Sequence, residues 1–431
     1  MSVKYERKDL GGGIHYSVIL DKRYKTNFFT VMLVTQLNKE NAAANALIPT
    51  IISKSCESFP SKTDFNRMLT ELYGASVYGS CGKRGDSQIV SISGSTIGDR
   101  YALNGEKITE RLIDTILECV TRPALENGAF PEKDFSLKCS ELTDDILTEI
   151  NDKRSYAFKR ASEIIYENEP SAVSVKGTVE DVKKLTPESV YKAYLKLLET
   201  AEIEIIYAGG ETPENAEEKI RSAFSAAERH PIKNEKALPS PLKSEVRYAE
   251  DKLDIIQCKM IMAYKYNCDD FYAMRLMNHV LGGTPVSKLF ANVREKLSLC
   301  YYCSSSPNFQ KKTLFIDSGV DAANTDAARN EIQHQIDEMR SGNISESEIE
   351  NAKLSIKNLL KSNSDSPRAI TLWYFGQIMR GTSDSPEDES EKIGRVSAED
   401  IINAAKSLSL DTVYLLKGLD DSAPERNDDK E

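Results

Sequence analysis

The sequence predicts an α+β protein of two tandem homologous repeats, each an antiparallel-rich mixed sheet with helices packed on one face. Three observations carry this. Strand-like alternation and helix-like stripes occur in one order in both halves of the chain. The closing segments of the halves also match in wording, Leu185-Thr-Pro-Glu-Ser-Val190 beside Val396-Ser-Ala-Glu-Asp-Ile401, displaced by about 210 residues. Between the halves, 226–244 is rich in proline and charge, a linker composition. Strands followed by runs of helices favour helices layered on a sheet.

In the first half, apolar residues alternate at Ile14, Tyr16 and Val18 and then run from Phe28 to Val34, which reads as a hairpin. A helix is expected over 41–57. The next helix carries Phe65, Met68, Leu69, Leu72 and Tyr73, a stripe at helical spacing. Ser61 and Asp64 form a capping box ahead of it, and Gly74 stops it. Strands follow at 75–81 and 87–95, then helices at 108–120, with Pro123 beyond its end, and along 133–166. A helix at 187–198 leads into a strand at 202–207.

The second half repeats the plan. Strands are expected at 245–248 and 254–264, helices at 270–281 and 286–296, and strands at 299–305 and 313–319. Helices at 324–340, 346–361, 370–380 and 398–408 precede a closing strand at 412–416. The expected domains are a first repeat over 1–225, the linker over 226–244 and a second repeat over 245–419. The acidic 420–431, without large apolar residues, is expected to be disordered.

Bulk properties exclude several function classes. With 431 residues, each of two domains can bury its own core. A net charge of −11 disfavours nucleic acid or an anionic membrane as the main partner. The longest apolar runs, such as 28–34, are too short to span a bilayer. The N-terminus has no apolar signal-peptide core. Eight cysteines over this length form no tight framework, so the expected compartment is a reducing cytoplasm.

The most informative stretch is Leu281-Gly-Gly-Thr-Pro-Val-Ser-Lys-Leu-Phe-Ala-Asn-Val-Arg-Glu-Lys-Leu-Ser-Leu-Cys-Tyr-Tyr302: a glycine turn, a helix and a strand, with Arg294 and Tyr301 set seven positions apart. Taken by itself, Arg294-Glu-Lys296 is a surface ion cluster and Tyr301 a core residue. The whole stretch resembles the second-repeat signature of the insulinase/pitrilysin zinc metallopeptidases. Gly177-Thr-Val-Glu-Asp-Val-Lys-Lys-Leu-Thr186 resembles the segment before the last helix of a repeat in that family. The resemblance spans nearly the whole chain. It implies a family in which two two-repeat units face each other as a clamshell around an unfolded peptide. In the two-chain versions one subunit bears zinc, and the other bears the Arg/Tyr pair that holds the substrate. Guanidinium and phenol donate hydrogen bonds to a substrate carbonyl and to the oxyanion that grows from it.

The family's zinc motif, His-x-x-Glu-His with a distant Glu, is missing. The four histidines are His15, His230, His279 and His334. No two lie closer than about 49 residues, so neither order of a paired-histidine motif exists. The resemblance of Lys54-Ser-Cys56 to the segment after the zinc helix places Ala46, Pro49 and Thr50 at the positions of the first His, the Glu and the second His. The distant Glu falls at Asp145. A methyl and a proline ring offer no lone pair, and Thr is not a usual zinc ligand. Pro49 is also expected to kink or restart its helix. No cofactor is expected.

Other motifs have structural explanations. Residues i and i+3 of a strand point to opposite faces, so Cys300 and Cys303 read as buried free thiols rather than a closing pair. Gly11-Gly-Gly13 lacks the strand–loop–helix setting of a phosphate cradle and reads as a strand-entry loop. His279 reads as a packed helix residue. No nucleophile motif or Walker motif occurs.

The resemblance therefore implies a catalytically inactive, substrate-positioning subunit of a heterodimeric zinc peptidase acting on peptides, with homodimer formation as the other possibility. Arg294 and Tyr301 would hold the peptide, and Val77, Tyr78, Gly79 and Ser80 would present an edge for strand addition. The alternative is a non-proteolytic scaffold. Some mitochondrial relatives have become structural subunits, and a bacterial group of similar chains accompanies a translation-factor modification pathway, as a maturation accessory would. Neither nucleic acid nor a membrane is an expected partner.

Overall fold

The structure, a computed structural model, describes residues 3–234 and 237–419. The expectation of a disordered tail at 420–431 lies outside the described residues. The first half runs β1 (Lys4–Gly11), β2 (Ile14–Leu20), β3 (Thr26–Gln36), α1 (Ala42–Ile52), α2 (Lys62–Glu71), β4 (Ser76–Arg84), β5 (Ser87–Ile97), α3 (Ile108–Thr121), α4 (Glu132–Thr148), α5 (Lys153–Ile165), α6 (Val179–Val182), α7 (Pro187–Thr200), β6 (Glu202–Gly209) and α8 (Ala216–Phe224). The second runs β7 (Arg247–Leu253), β8 (Cys258–Tyr266), α9 (Phe271–Leu281), a π-helical segment (Leu289–Lys296), β9 (Cys300–Asn308), β10 (Thr313–Val320), α10 (Thr325–Arg340), α11 (Glu346–Asn363), α12 (Pro367–Arg380), α13 (Pro386–Gly394), α14 (Ala398–Lys406) and β11 (Leu408–Gly418). Among the described residues no helix is long and apolar enough to cross a membrane.

The strands form two mixed sheets, in the orders β1-β2-β6-β3-β5-β4 and β7-β11-β8-β10-β9. Without β1 the two orders correspond strand for strand, including one parallel pair in each, β2 with β6 and β7 with β11. The expected hairpin of the first half is not formed. β2 pairs with β1, and β6 inserts between β2 and β3. Local alternation marks a strand but not its neighbour, and here the neighbour arrives nearly two hundred residues later.

Local signals set most boundaries. Ser61 accepts from the Asp64 N–H at 3.1 Å at the start of α2, although the Asp64 carboxylate bonds the Ser61 hydroxyl and not its backbone. Gly74 closes that helix at φ +73°, a conformation glycine takes without strain. Pro49 does not restart α1, which continues through it to Ile52. Nearly every residue of α1 is buried, and packing on β4, β5, α4 and α7 holds the helix together. The single stretch expected over 133–166 is broken at Glu149–Asn151, and Asp152 starts α5 afresh by accepting from the Ser155 N–H at 3.1 Å.

That break has a topological purpose. The chain divides into two compact units that are not contiguous in sequence. The first takes residues up to Thr148, Asn168–Ala237 and Lys361–Pro386; the second takes Glu149–Glu167, Leu238–Leu360 and residues from Glu387. Helix α12 thus belongs to the first sheet's unit and α5 to the second's. In the first unit Ile203, Ile205 and Tyr207 join the core under α1, α3 and α7, whereas Ile206 and Ala208 point the other way, to Ile370, Tyr374 and Phe375 of α12. The Tyr374 ring stacks on Tyr5 with centroids 3.9 Å apart.

In the second unit, Phe315 and Asp317 of β10 face α5. Phe158 lies 4.7 Å from Phe315, and Arg154 Nε donates to Asp317 at 2.5 Å. Ser305, opposite Ile316, bonds instead to Asn278 of α9 at 2.7 Å. Besides the helices expected on one face, each sheet therefore carries one helix from the other half on its second face. An aromatic cluster seats α12, while ion pairs seat α5: Arg160 Nε donates to Asp251 at 2.9 Å, and Tyr414 adds a bond at 3.0 Å.

Two outcomes follow from this seating. Replacing fully buried Ile370 by Ala should cost about 2–5 kcal/mol in urea unfolding. Leu372→Ala, on the 43% exposed side of the same helix, should cost less than about 1 kcal/mol; equal losses would contradict the assigned face. Burial alone would raise the Asp251 carboxyl, but hydrogen bonds from Arg160 and Tyr414 and the Arg160 charge outweigh it and hold it below its ordinary value. That contribution is complete above the unfolded value of about 3.9 and is lost as pH falls through the lower folded value. Asp251→Asn should accordingly lower the urea midpoint at about pH 7 and shrink its further drop at about pH 3. A variant with the parent's full acid drop would refute the assignment.

Candidate functional site

Arg294 and Tyr301 come together in the second unit. The motif's first glycine, Gly282, ends α9 against β9, where Ser305 N–H donates to its carbonyl at 3.0 Å. A Cβ there would fall 2.7 Å from Leu289 and 2.8 Å from Ser305 N, so only glycine fits. Lys288, almost fully buried, pairs with Glu348 at 2.8 Å and pins the start of the next segment. The helix expected over 286–296 is π-helical over Leu289–Lys296, with Leu297 N–H donating to the Asn292 carbonyl five residues back at 3.1 Å. Such widened turns are frequent at functional sites. Buried Leu289 and Val293 face the core, while the Arg294 guanidinium lies over Phe290 at 4.6 Å and 3.5 Å from Glu295.

The chain then turns through Ser298, held at φ +50°, into β9. There the pairing slips: Cys300 opposes Val320 and Tyr302 opposes Gly319, which leaves Tyr301 as an extra, bulged residue. The bulge turns Tyr301 outward, 58% exposed, and its hydroxyl donates to Asp321 at 3.2 Å. Arg294, Tyr301, Cys300, Asp321 and Ser298 line one cavity of about 380 Å³. Asp321, Phe290 and Cys300 were not singled out as site residues from the sequence. Asp321 follows a strand with no motif around it, and the bulge leaves no mark in composition.

The bulge also corrects the expectation for Cys300 and Cys303. They lie on the same face, opposite Val320 and Ser318. Both are free and buried, at 8% and 4% exposure.

The zinc positions implied by the resemblance lie on α1 and α4 of the first unit, and their residues do not fit a metal. Ala46 is buried, and its methyl donates nothing. The Pro49 carbonyl sits so close to β4 that a Cβ on Gly79 would come within 1.9 Å of it. The Thr50 hydroxyl is spent on the Leu47 carbonyl of its own helix at 2.7 Å. Asp145, with its side chain 66% exposed, pairs with Lys176 at 3.6 Å. Among the described residues no three His, Cys, Asp or Glu side chains converge as a metal site.

Val77, Tyr78, Gly79 and Ser80 belong to β4, the last strand of the first sheet, which pairs with β5 alone. Val77 points into the core, Tyr78 lies 6.0 Å beneath the Arg368 guanidinium, and the Ser80 hydroxyl is 2.8 Å from that of Ser91. Gly11, Gly12 and Gly13, all at positive φ, make the β1–β2 turn. His279 is a packed α9 residue, its Nδ1 3.0 Å from the Arg275 carbonyl, and burial lowers its pKa.

Known proteins similar to the chain include inactive peptidase homologues. Residues 184–356 match the Peptidase M16 inactive domain. Over 97% of this chain and 99% of the relative, the sequence is 28% identical to a probable inactive metalloprotease, YmfF, of Bacillus subtilis. It is 22% identical, over 70% of the chain and 69% of the relative, to the mitochondrial-processing peptidase subunit beta of Saccharomyces cerevisiae. The crystal structure of a conserved protein from Enterococcus faecalis superposes with a TM-score of 0.86 at 26% identity, covering 97% of this chain and 100% of that one. With Ala46, Pro49 and Thr50 at the positions that the resemblance assigns to zinc ligands, and Arg294 and Tyr301 sharing one cavity, the chain is similar to the inactive kind of M16 (insulinase/pitrilysin-type) metallopeptidase homologue.

Proposed function

We propose that the chain is the substrate-positioning member of a two-chain M16-type peptidase, working on extended peptides beside a zinc-bearing partner subunit. The observation that carries this reading is that Arg294 and Tyr301 share one open cavity in a chain whose α1 offers no metal ligand. A guanidinium and a phenol stabilise an oxyanion, but neither activates water. The missing chemistry has to come from another polypeptide. A second copy of this chain would bring the same deficit, which favours a heterodimer over a homodimer. Division of labour accords with the yeast relative, by its name one subunit of a processing peptidase. The open side of β4 at Val77–Ser80 suits an extended peptide, which would add there as a strand. Eight cysteines, none paired, accord with a reducing cytoplasm.

The purified chain is expected to show no chelator-sensitive peptide hydrolysis. Turnover should appear on mixing with a subunit that carries His-x-x-Glu-His; zinc-dependent turnover by the lone chain would refute the proposal. In the mixed complex, Arg294→Ala and Tyr301→Phe should each lower kcat by roughly 10²-fold, with the sedimentation of the complex unchanged. Unaltered turnover in both variants would favour the scaffold role.

A further inference from the structure

The slip in β9 has a chemical consequence for its two cysteines. A strand advances about 3.4 Å per residue, so Ser318 and Val320 stand about 6.7 Å apart along β10. Cys303 and Cys300 oppose those two residues on the same face. The bulge at Tyr301 therefore folds a three-residue separation into the length of two. In an unbulged strand the same residues would be about 10 Å apart and on opposite faces. With the bulge, their spacing reaches the upper end of the disulfide range of about 4.4–6.8 Å between Cα atoms.

Only one of the two borders the cavity. Cys300 lines the cavity beside Arg294 and Asp321, whereas Cys303 does not line it and is only 4% exposed. The hydrogen bond from Cys303 is the largest effect lowering the Cys300 pKa, opposed by burial and helped by Ser318 and the Arg294 charge. Thiolate character at the cavity-lining cysteine is what thiol–disulfide exchange requires.

We infer that Cys300 and Cys303 are a redox-sensitive pair that closes a reversible disulfide across the Tyr301 bulge on meeting a low-molecular-weight disulfide. The Cys300 thiolate attacks one sulfur of the small disulfide, forming a mixed disulfide and releasing one small thiolate, which takes up a proton. Cys303 Sγ, losing its proton, then attacks Cys300 Sγ and expels the second small thiolate. Two protein thiols are oxidised, and one small disulfide is reduced to two small thiols. The closed ring would fix the bulge on which Tyr301 stands. This inference rests on strand register and thiol access, and it holds whether or not the chain handles peptides.

Cys56 and Cys119 provide an internal comparison. Each of these two thiols also influences the ionisation of the other, but both residues are 0% exposed. The test treats the reduced full-length chain with oxidised glutathione under native conditions, then denatures it, alkylates it and maps the peptides. Of the eight cysteines, two should escape alkylation, with the loss of two hydrogens mapped to the peptide holding Cys300 and Cys303. Dithiothreitol should restore all eight. Cys303→Ser should instead leave glutathione attached at Cys300. Full alkylation of the treated chain, or oxidation mapped to Cys56 and Cys119 in place of the strand pair, would overturn the inference.

Discussion

Each half of the chain is closed by its last strand, which enters the sheet between strands formed much earlier. β6 lies parallel to β2 and antiparallel to β3, and β11 lies in the same way between β7 and β8. This long-range pairing fixes the rest of each unit. It commits the intervening segments to helical crossovers, places the most buried strands at the centre, and leaves β4 and β9 as outer strands of their sheets. All the candidate substrate residues except Arg294 fall on these two strands, Val77–Ser80 on one and Tyr301 on the other. An outer strand keeps backbone donors and acceptors that no neighbour has taken, so it is the place in a sheet where an extended chain can still be read.

Much of this was legible in the sequence. Most element types and their order followed from periodicity, although β1, α6, α8 and α13 were not expected, and residue type marked caps such as Ser61 and the stop at Gly74. The pairing of β2 did not, because alternation in Ile14–Leu20 specifies a half-buried strand without naming its neighbour. The exchange of α5 and α12 between units was equally hidden. What distinguishes the two helices is the cargo they carry, Arg154 and Arg160 on one and Tyr374 and Phe375 on the other, and that matters only once the receiving sheet is known. At the candidate site the motif gave Arg294 and Tyr301. The π-helical turn and the bulge, which orient both side chains and bring Cys300 beside Cys303, depend on how β9 registers with β10.

The residues proposed to hold substrate and the positions that the resemblance assigns to zinc ligands rest on different elements. Arg294 and Tyr301 are held by a glycine turn, a buried Lys288–Glu348 pair and a strand bulge, none of which involves α1. On α1, Ala46, Pro49 and Thr50 stand at the positions that the resemblance assigns to metal ligands, and the Pro49 carbonyl lies against Gly79 of β4. Tight backbone contact of this kind leaves no room for a side chain at Gly79.

The most direct measurement is zinc binding by the isolated chain, followed by equilibrium dialysis in the parent and in Asp145→Ala with Thr50→Val. The predicted result is no stoichiometric zinc that depends on these two residues. One equivalent of tightly held zinc in the parent, lost in the double variant, would contradict the account.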